Sequence, residues 1–138
     1  KIINSGVDLN STHSYLACYL LQEKYNPTSF WLPYIRILPQ HYRNMPIFFD
    51  EDELSLLEGS FSIRKIIDRQ EELKEEYDNI CKYVPEFRKY TLEDFIWARM
   101  VVITRIFGLV VNGNKTDGLV PMADMVTYTT FIRIATNR

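Results

Sequence analysis

The sequence predicts an α+β fold: a mostly helical region over residues ~11–107, followed by short β-strands. Three observations carry this. Apolar residues recur at three- and four-residue spacings through most of the first ninety positions, the period of a helix with one buried face. Capping residues and prolines bound those segments. The last thirty residues lean instead towards Thr, Tyr and Ile, which favour strands.

In chain order, residues 1–10 are polar and irregular. Ser11 or Thr12 caps a first helix whose apolar positions are Tyr15, Leu16, Tyr19 and Leu20, and Asn26-Pro27 stops it near Tyr25. Pro33 and Pro39 bracket a short helical turn in which Trp31, Tyr34, Ile35 and Leu38 form an aromatic-aliphatic cluster that reads as core. His41 to Ile47 is a loop. Asp50 with Glu53 makes a capping box, and Gly59 supplies the left-handed stop of a short helix. Ser60 starts the longest helix, about Phe61 to Tyr83, with the stripe Ile63, Ile66, Ile67, Leu73, Tyr77, Ile80 and Val84. Its acidic run Glu71 to Asp78 reads as a solvated face with i,i+4 pairs to Lys74 and Lys82. Pro85 ends it. Thr91 with Asp94 is a second capping box, opening a helix that carries Phe95, Ile96, Met100, Ile103 and Phe107 and is buried on most sides. Gly108–Val111 and Leu119–Pro121 are expected to be two short strands flanking a loop, Asn112–Gly118. Val126–Ala135 reads as strand.

The totals exclude several function classes. The chain has 138 residues, is 46% hydrophobic and carries a formal charge of -2, enough apolar content for one domain with its own core. A near-neutral chain without a clustered basic face predicts no nucleic-acid partner. No apolar run approaches the ~20 residues that span a bilayer, so no membrane partner is expected. Cys18 and Cys81 form no C-x-x-C pair and read as reduced core thiols of an intracellular, cytoplasmic or nuclear, protein. His13 and His41 lack metal-ligand spacing, and no metal site is expected. The chain opens on Lys1 without a Met, so its start is not expected to be the natural one.

Chemistry concentrates between Tyr90 and Met125. There an apolar run ends on one carboxylate, Asp124, in Leu119-Val120-Pro121-Met122-Ala123-Asp124-Met125. An unpaired buried Asp is costly, and Arg105 is the nearest partner of suitable type. The alternatives are a turn-capping Asp and a structural ion pair.

This stretch resembles the SET-domain protein methyltransferases of the Rubisco large-subunit methyltransferase-like family. The resemblance rests on Thr91, Glu93, Asp94, Phe95, Trp97 and Ala98, then Thr104, Arg105 and Phe107, then Leu119 through Met125. Upstream, Phe30-Trp31-Leu32-Pro33-Tyr34-Ile35 with Leu38-Pro39, and Phe48 through Gly59, are similar to two further family signatures in the same order. The resemblance implies a helical insert (residues 1–107) within a split SET β-domain, of which 108–138 are a partial C-terminal half. It implies an enzyme moving a methyl group from S-adenosylmethionine to a protein side chain, most often lysine and in one branch histidine. Asp124 and Arg105 are then expected to bind the cofactor, and Thr104, Phe107 and Met125 to line the substrate side.

Three departures stand beside these matches. The family's Asn-His pair after Met125-Val126 is replaced here by Thr127-Tyr128. Its Gly-rich cofactor loop would precede Lys1, and its terminal tyrosine motif would follow Arg138. No catalytic residue is therefore assigned, and the chain is expected to be an incomplete SET domain with residues missing from it. The alternative is a catalytically inert SET-like protein-interaction module.

Overall fold

A computed structural model describes Leu9 and residues 11–125. Five α-helices run α1 (Thr12–Lys24), α2 (Leu32–Ile37), α3 (Glu51–Ser55), α4 (Phe61–Tyr83) and α5 (Leu92–Arg105). They lead into an antiparallel hairpin, β1 (Ile106–Val111) and β2 (Asn114–Leu119). Short 3-10 turns occupy Pro46–Phe48, Pro85–Lys89 and Ala123–Met125. The fold is thus α+β, helices first. The change from helix to strand falls at Arg105/Ile106, two residues ahead of the sequence expectation, so Phe107 is a strand residue and not the last turn of a helix.

The caps form as the residues dictate. Ser11 accepts from the His13 N–H, Ser60 from Ser62, and both capping boxes close, Asp50 with Glu53 and Thr91 with Asp94. Each satisfies backbone donors that a helix start leaves without partners. Gly59 takes φ 84°, the left-handed geometry that glycine enters without a Cβ clash.

The core is α1 laid against α5, with α4 closing a second side. Ala17, Leu21, Leu73, Ile80, Phe95, Ala98, Val101 and Val102 are wholly enclosed. The expected face of α1 holds in part: Leu20 is buried and Tyr15 and Leu16 pack half-buried against the core. Tyr19 is about half exposed, and Ser14, Ala17, Cys18 and Leu21 turn inward beside Leu20. Small residues at 14, 17 and 18 let the two helices approach closely, and Ala98 meets that requirement from α5. On α4 the expected stripe is buried at Leu73, Ile80 and Val84, whereas Ile63, Ile66, Ile67 and Tyr77 are half-buried. The ion pairs of its solvated face are Arg64–Asp68 and Arg69–Glu72; among the described residues neither Lys74 nor Lys82 joins one. On α5, Ile103 is also exposed, because the helix leaves the core in its last turn.

The hairpin departs from expectation more sharply. Asn112-Gly113 is a two-residue turn with φ 52° and 81°, and the predicted loop residues 114–118 form β2 instead. Both central residues left-handed is the turn geometry that matches strand twist, and Asn-Gly suits it best. The polar string Asn114-Lys115-Thr116-Asp117 hid the strand because β2 is largely solvent-facing and needs no apolar alternation there. The expected strand Val126–Ala135 lies outside the described residues.

Cys18 and Cys81 are buried free thiols. Burial first, and then the nearby Glu76 carboxylate, push the Cys18 thiol up to about 12. Among the described residues no helix is long and apolar enough to cross a membrane.

Leu21→Ala removes a side chain with no exposed surface and should destabilise the fold by about 2–5 kcal/mol in urea denaturation. Leu56→Ala, at an 85% exposed position, should stay within about 0.5 kcal/mol of the parent.

Candidate functional site

The hairpin returns the chain to the end of α5, where Pro121 and Met122 turn it sharply. Met122 adopts φ 75°, a backbone geometry disfavoured for a residue with a Cβ. The turn that follows is tied by Asp124 N–H to Val120 O (3.3 Å) and Met125 N–H to Met122 O (3.2 Å). It drives the Asp124 side chain fully under the surface.

There Asp124 meets two helices at once. The Arg105 Nη1 donates to its Oδ2 at 2.8 Å from the last turn of α5. The Tyr34 hydroxyl donates to the same oxygen at 2.7 Å from α2. Arg105 Nη1 also lies 3.4 Å from the Met125 sulfur. The other carboxylate oxygen, Oδ1, is buried and has no hydrogen-bond partner among the described residues. The Arg105 side chain is 17% exposed. Burial pulls the Arg105 pKa down, but hydrogen bonds from its guanidinium to Asp124 and Tyr42 outweigh this and hold it above its ordinary value. Burial, and then donation to the Asp124 carboxylate, push the Tyr34 phenol well above its usual range. That hydroxyl stays protonated and acts as a fixed donor.

The structure therefore brings together Arg105, Asp124 and Met125. Thr104 stands at the edge of the group, committed to its own helix: its hydroxyl donates to Met100 O at 2.7 Å and lies 3.4 Å from the Tyr42 hydroxyl. Phe107 lies on β1 opposite Gly118, is more than a third exposed, and makes no described contact with the Arg105–Asp124 pair. Tyr34 and Tyr42 join this group without having been singled out from the sequence, because Tyr34 read as core. One signal was present: a tyrosine that buries its ring must still find a partner for its hydroxyl. What the chain order concealed was that the partner stands ninety residues away.

Beside Tyr34 opens an apolar groove of about 200 Å³, walled by Leu16, Tyr19 and Leu20 of α1, Trp31 and Ile35, and Leu119 and Pro121. Trp31 packs edge-on against the exposed Phe30 at 5.1 Å between ring centres, so this part of the expected aromatic core is a surface feature. His13 caps nothing with its ring but faces Asp117 of β2 at 3.7 Å, a link between α1 and the hairpin. Among the described residues no three His, Cys, Asp or Glu side chains group as metal ligands.

Comparison with known proteins gives this geometry a context. The chain is 33% identical over 125 residues to the actin-histidine N-methyltransferase of Gallus gallus. It is 34% identical over 125 residues to that of Papio anubis and 33% to that of Homo sapiens. Each match covers 83% of the chain and 21% of the relative. The chain thus spans about a fifth of the length of the curated relatives it matches. No protein-family model matches it.

Arg105→Met should destabilise the fold by about 3–5 kcal/mol, since it strands a buried carboxylate. Adding Asp124→Asn should recover part of that loss, and the double-mutant cycle in urea measures the coupling. A raised folded-state pKa at Tyr34 means stability present below about pH 10 and lost as pH climbs above it, where the unfolded phenol ionises first. Tyr34→Phe should make the alkaline decline of stability shallower in pH-dependent denaturation.

Proposed function

We propose that this chain is a segment of an S-adenosylmethionine-dependent protein methyltransferase of the SET type. In this reading residues 1–107 are the helical insert and 108–138 the start of the returning β-half. The observation that carries it is the Arg105–Asp124 contact, which joins the two positions expected from the resemblance to bind the cofactor, with Tyr34 donating to the same carboxylate from another of the matched signatures. The similarity to actin-histidine N-methyltransferases over most of the chain supports the same reading.

The residues fit the polar end of such a cofactor. Asp124 offers a buried oxygen with no partner among the described residues, which suits an ammonium or hydroxyl donor, and Arg105 offers a partly exposed cationic side chain suited to a carboxylate. These residues form one wall of a site, and the remainder of the natural protein would supply the others. When bound, S-adenosylmethionine supplies a sulfonium methyl for in-line displacement by a neutral nitrogen. The wall contributes orientation: Tyr34 and Arg105 both hold Asp124 Oδ2, so Oδ1 has one direction in which to accept. The apolar groove beside Tyr34 would keep water from that wall.

The target side chain in this proposal is histidine of a protein, in keeping with the activity for which the relatives are named, and the general lysine expectation of the wider family gives way to it. Neutral imidazole is the attacking form, so the reaction should slow as pH falls through about 6.5.

Isotope-labelled S-adenosylmethionine added with the intact natural protein to a cell lysate should label protein, and tandem mass spectrometry should place the methyl on histidine. Asp124→Ala in that protein should weaken cofactor binding at least tenfold by calorimetry (about 1.4 kcal/mol). Absence of both binding and labelling would leave the inert interaction module as the better account.

A further inference from the structure

On another face of α5, a polar cavity holds an unusual group. Arg99 is only 3% exposed, yet its Nε and Nη1 have no hydrogen-bond partner among the described residues. A buried guanidinium with unmade hydrogen bonds is costly, and native structures rarely leave one. Six residues separate Arg99 from Arg105, which places it about 9 Å back along the helix and about 240° around it. The two arginines therefore serve different surfaces.

Arg99 lines a cavity of about 520 Å³ between α4, α5 and the start of α1, whose wall includes Arg69, Glu72, Glu75, Glu76 and Asn79. Glu76 is the nearest carboxylate, with Oε2 3.7 Å from Arg99 Nε, too long for a hydrogen bond. Arg69 is taken by Glu72 at 2.8 Å. That leaves Glu75, exposed and in no ion pair among the described residues. Two demands thus remain unmet in one cavity. Arg99 needs a neutral acceptor, and Glu75 can take a cation.

A free anion such as phosphate suits Arg99 but meets three glutamates. A simple cation suits the glutamates but leaves the guanidinium as it was. A basic residue in a peptide answers both, through its side-chain cation and its backbone carbonyl. We propose that this cavity is a docking site for a basic segment of a protein partner, with a backbone carbonyl accepting from Arg99 and a Lys or Arg side chain set against Glu75 and Glu76. The site stands independently of the methyl-transfer reading.

The test uses the full chain, ¹⁵N-labelled, titrated with the capped tripeptide acetyl-Gly-Lys-Gly-amide to about 10 mM and followed by amide chemical shifts. The expected result is saturable movement of the Glu72, Glu75, Asn79 and Arg99 amides, with the Asp124 amide still. The alanine counterpart, acetyl-Gly-Ala-Gly-amide, should bind at least tenfold more weakly. Arg99→Met keeps the side chain's length without its charge and should lose at least tenfold in affinity. Glu75→Gln, at an exposed position that does not threaten folding, should lose about threefold or more. The proposal is overturned if wild-type shifts do not saturate, if lysine and alanine peptides bind alike, or if folded Arg99→Met and Glu75→Gln proteins bind as the parent does.

Discussion

The close seating of α1 against α5 is the contact on which the remaining structure depends. Ala17 and Cys18 on one helix and Ala98 on the other hold no bulk between the backbones, and Leu21, Phe95, Val101 and Val102 fill the space around them. Asp94 locks one end of this pair. Its Oδ2 accepts from the Thr91 backbone and hydroxyl, while its Oδ1 accepts from Tyr25 at 2.8 Å and Lys24 at 3.4 Å. Burial alone would raise the Asp94 pKa, but these hydrogen bonds and the Lys24 charge bring it below its usual value. A helix cap is thereby also a tertiary tie between the end of α1 and the start of α5.

From that frame the other elements are hung by specific polar contacts. Trp97 Nε1 donates to Pro39 O at 2.8 Å, fixing the chain just after α2. Gln70 donates to Ile47 O and Phe49 O, holding the turn before α3 against α4. Tyr77 donates to Tyr90 O at 2.6 Å, joining α4 to the approach to α5. With α2 set by Trp97 and its neighbours, Tyr34 stands where Asp124 arrives. The candidate site is thus a product of packing elsewhere: α5 supplies Arg105, α2 supplies Tyr34, and the hairpin delivers Asp124.

The two arginines of α5 show how one helix can serve two purposes. Arg105 lies in the last turn, has its carboxylate and stays partly exposed. Arg99 lies in the middle, is buried, and has only a distant carboxylate. Burial draws the Arg99 pKa down, against the opposing pull of Glu76. The first arrangement is a finished ion pair with spare donors, and the second is an unfinished one.

Helix positions, caps and stops were legible from the sequence because they rest on local chemistry: Ser11, Ser60, Asp50 with Glu53, Thr91 with Asp94, and the prolines act within a few residues of themselves. The Arg105–Asp124 pairing was legible too, since a carboxylate that ends an apolar run requires a cation. The sequence did not determine how far the inward face of α1 extends to Ser14, Ala17 and Cys18, because small residues carry little hydrophobic signal and their value appears only against a second helix. Nor did it reveal β2, whose polar residues face solvent and are held by backbone pairing to β1 rather than by burial. Tyr34 at Asp124 and the unmatched guanidinium of Arg99 were decided by tertiary structure alone. Each depends on groups far apart in the chain, and no local rule encodes which distant backbone will pass close enough to offer or withhold a partner.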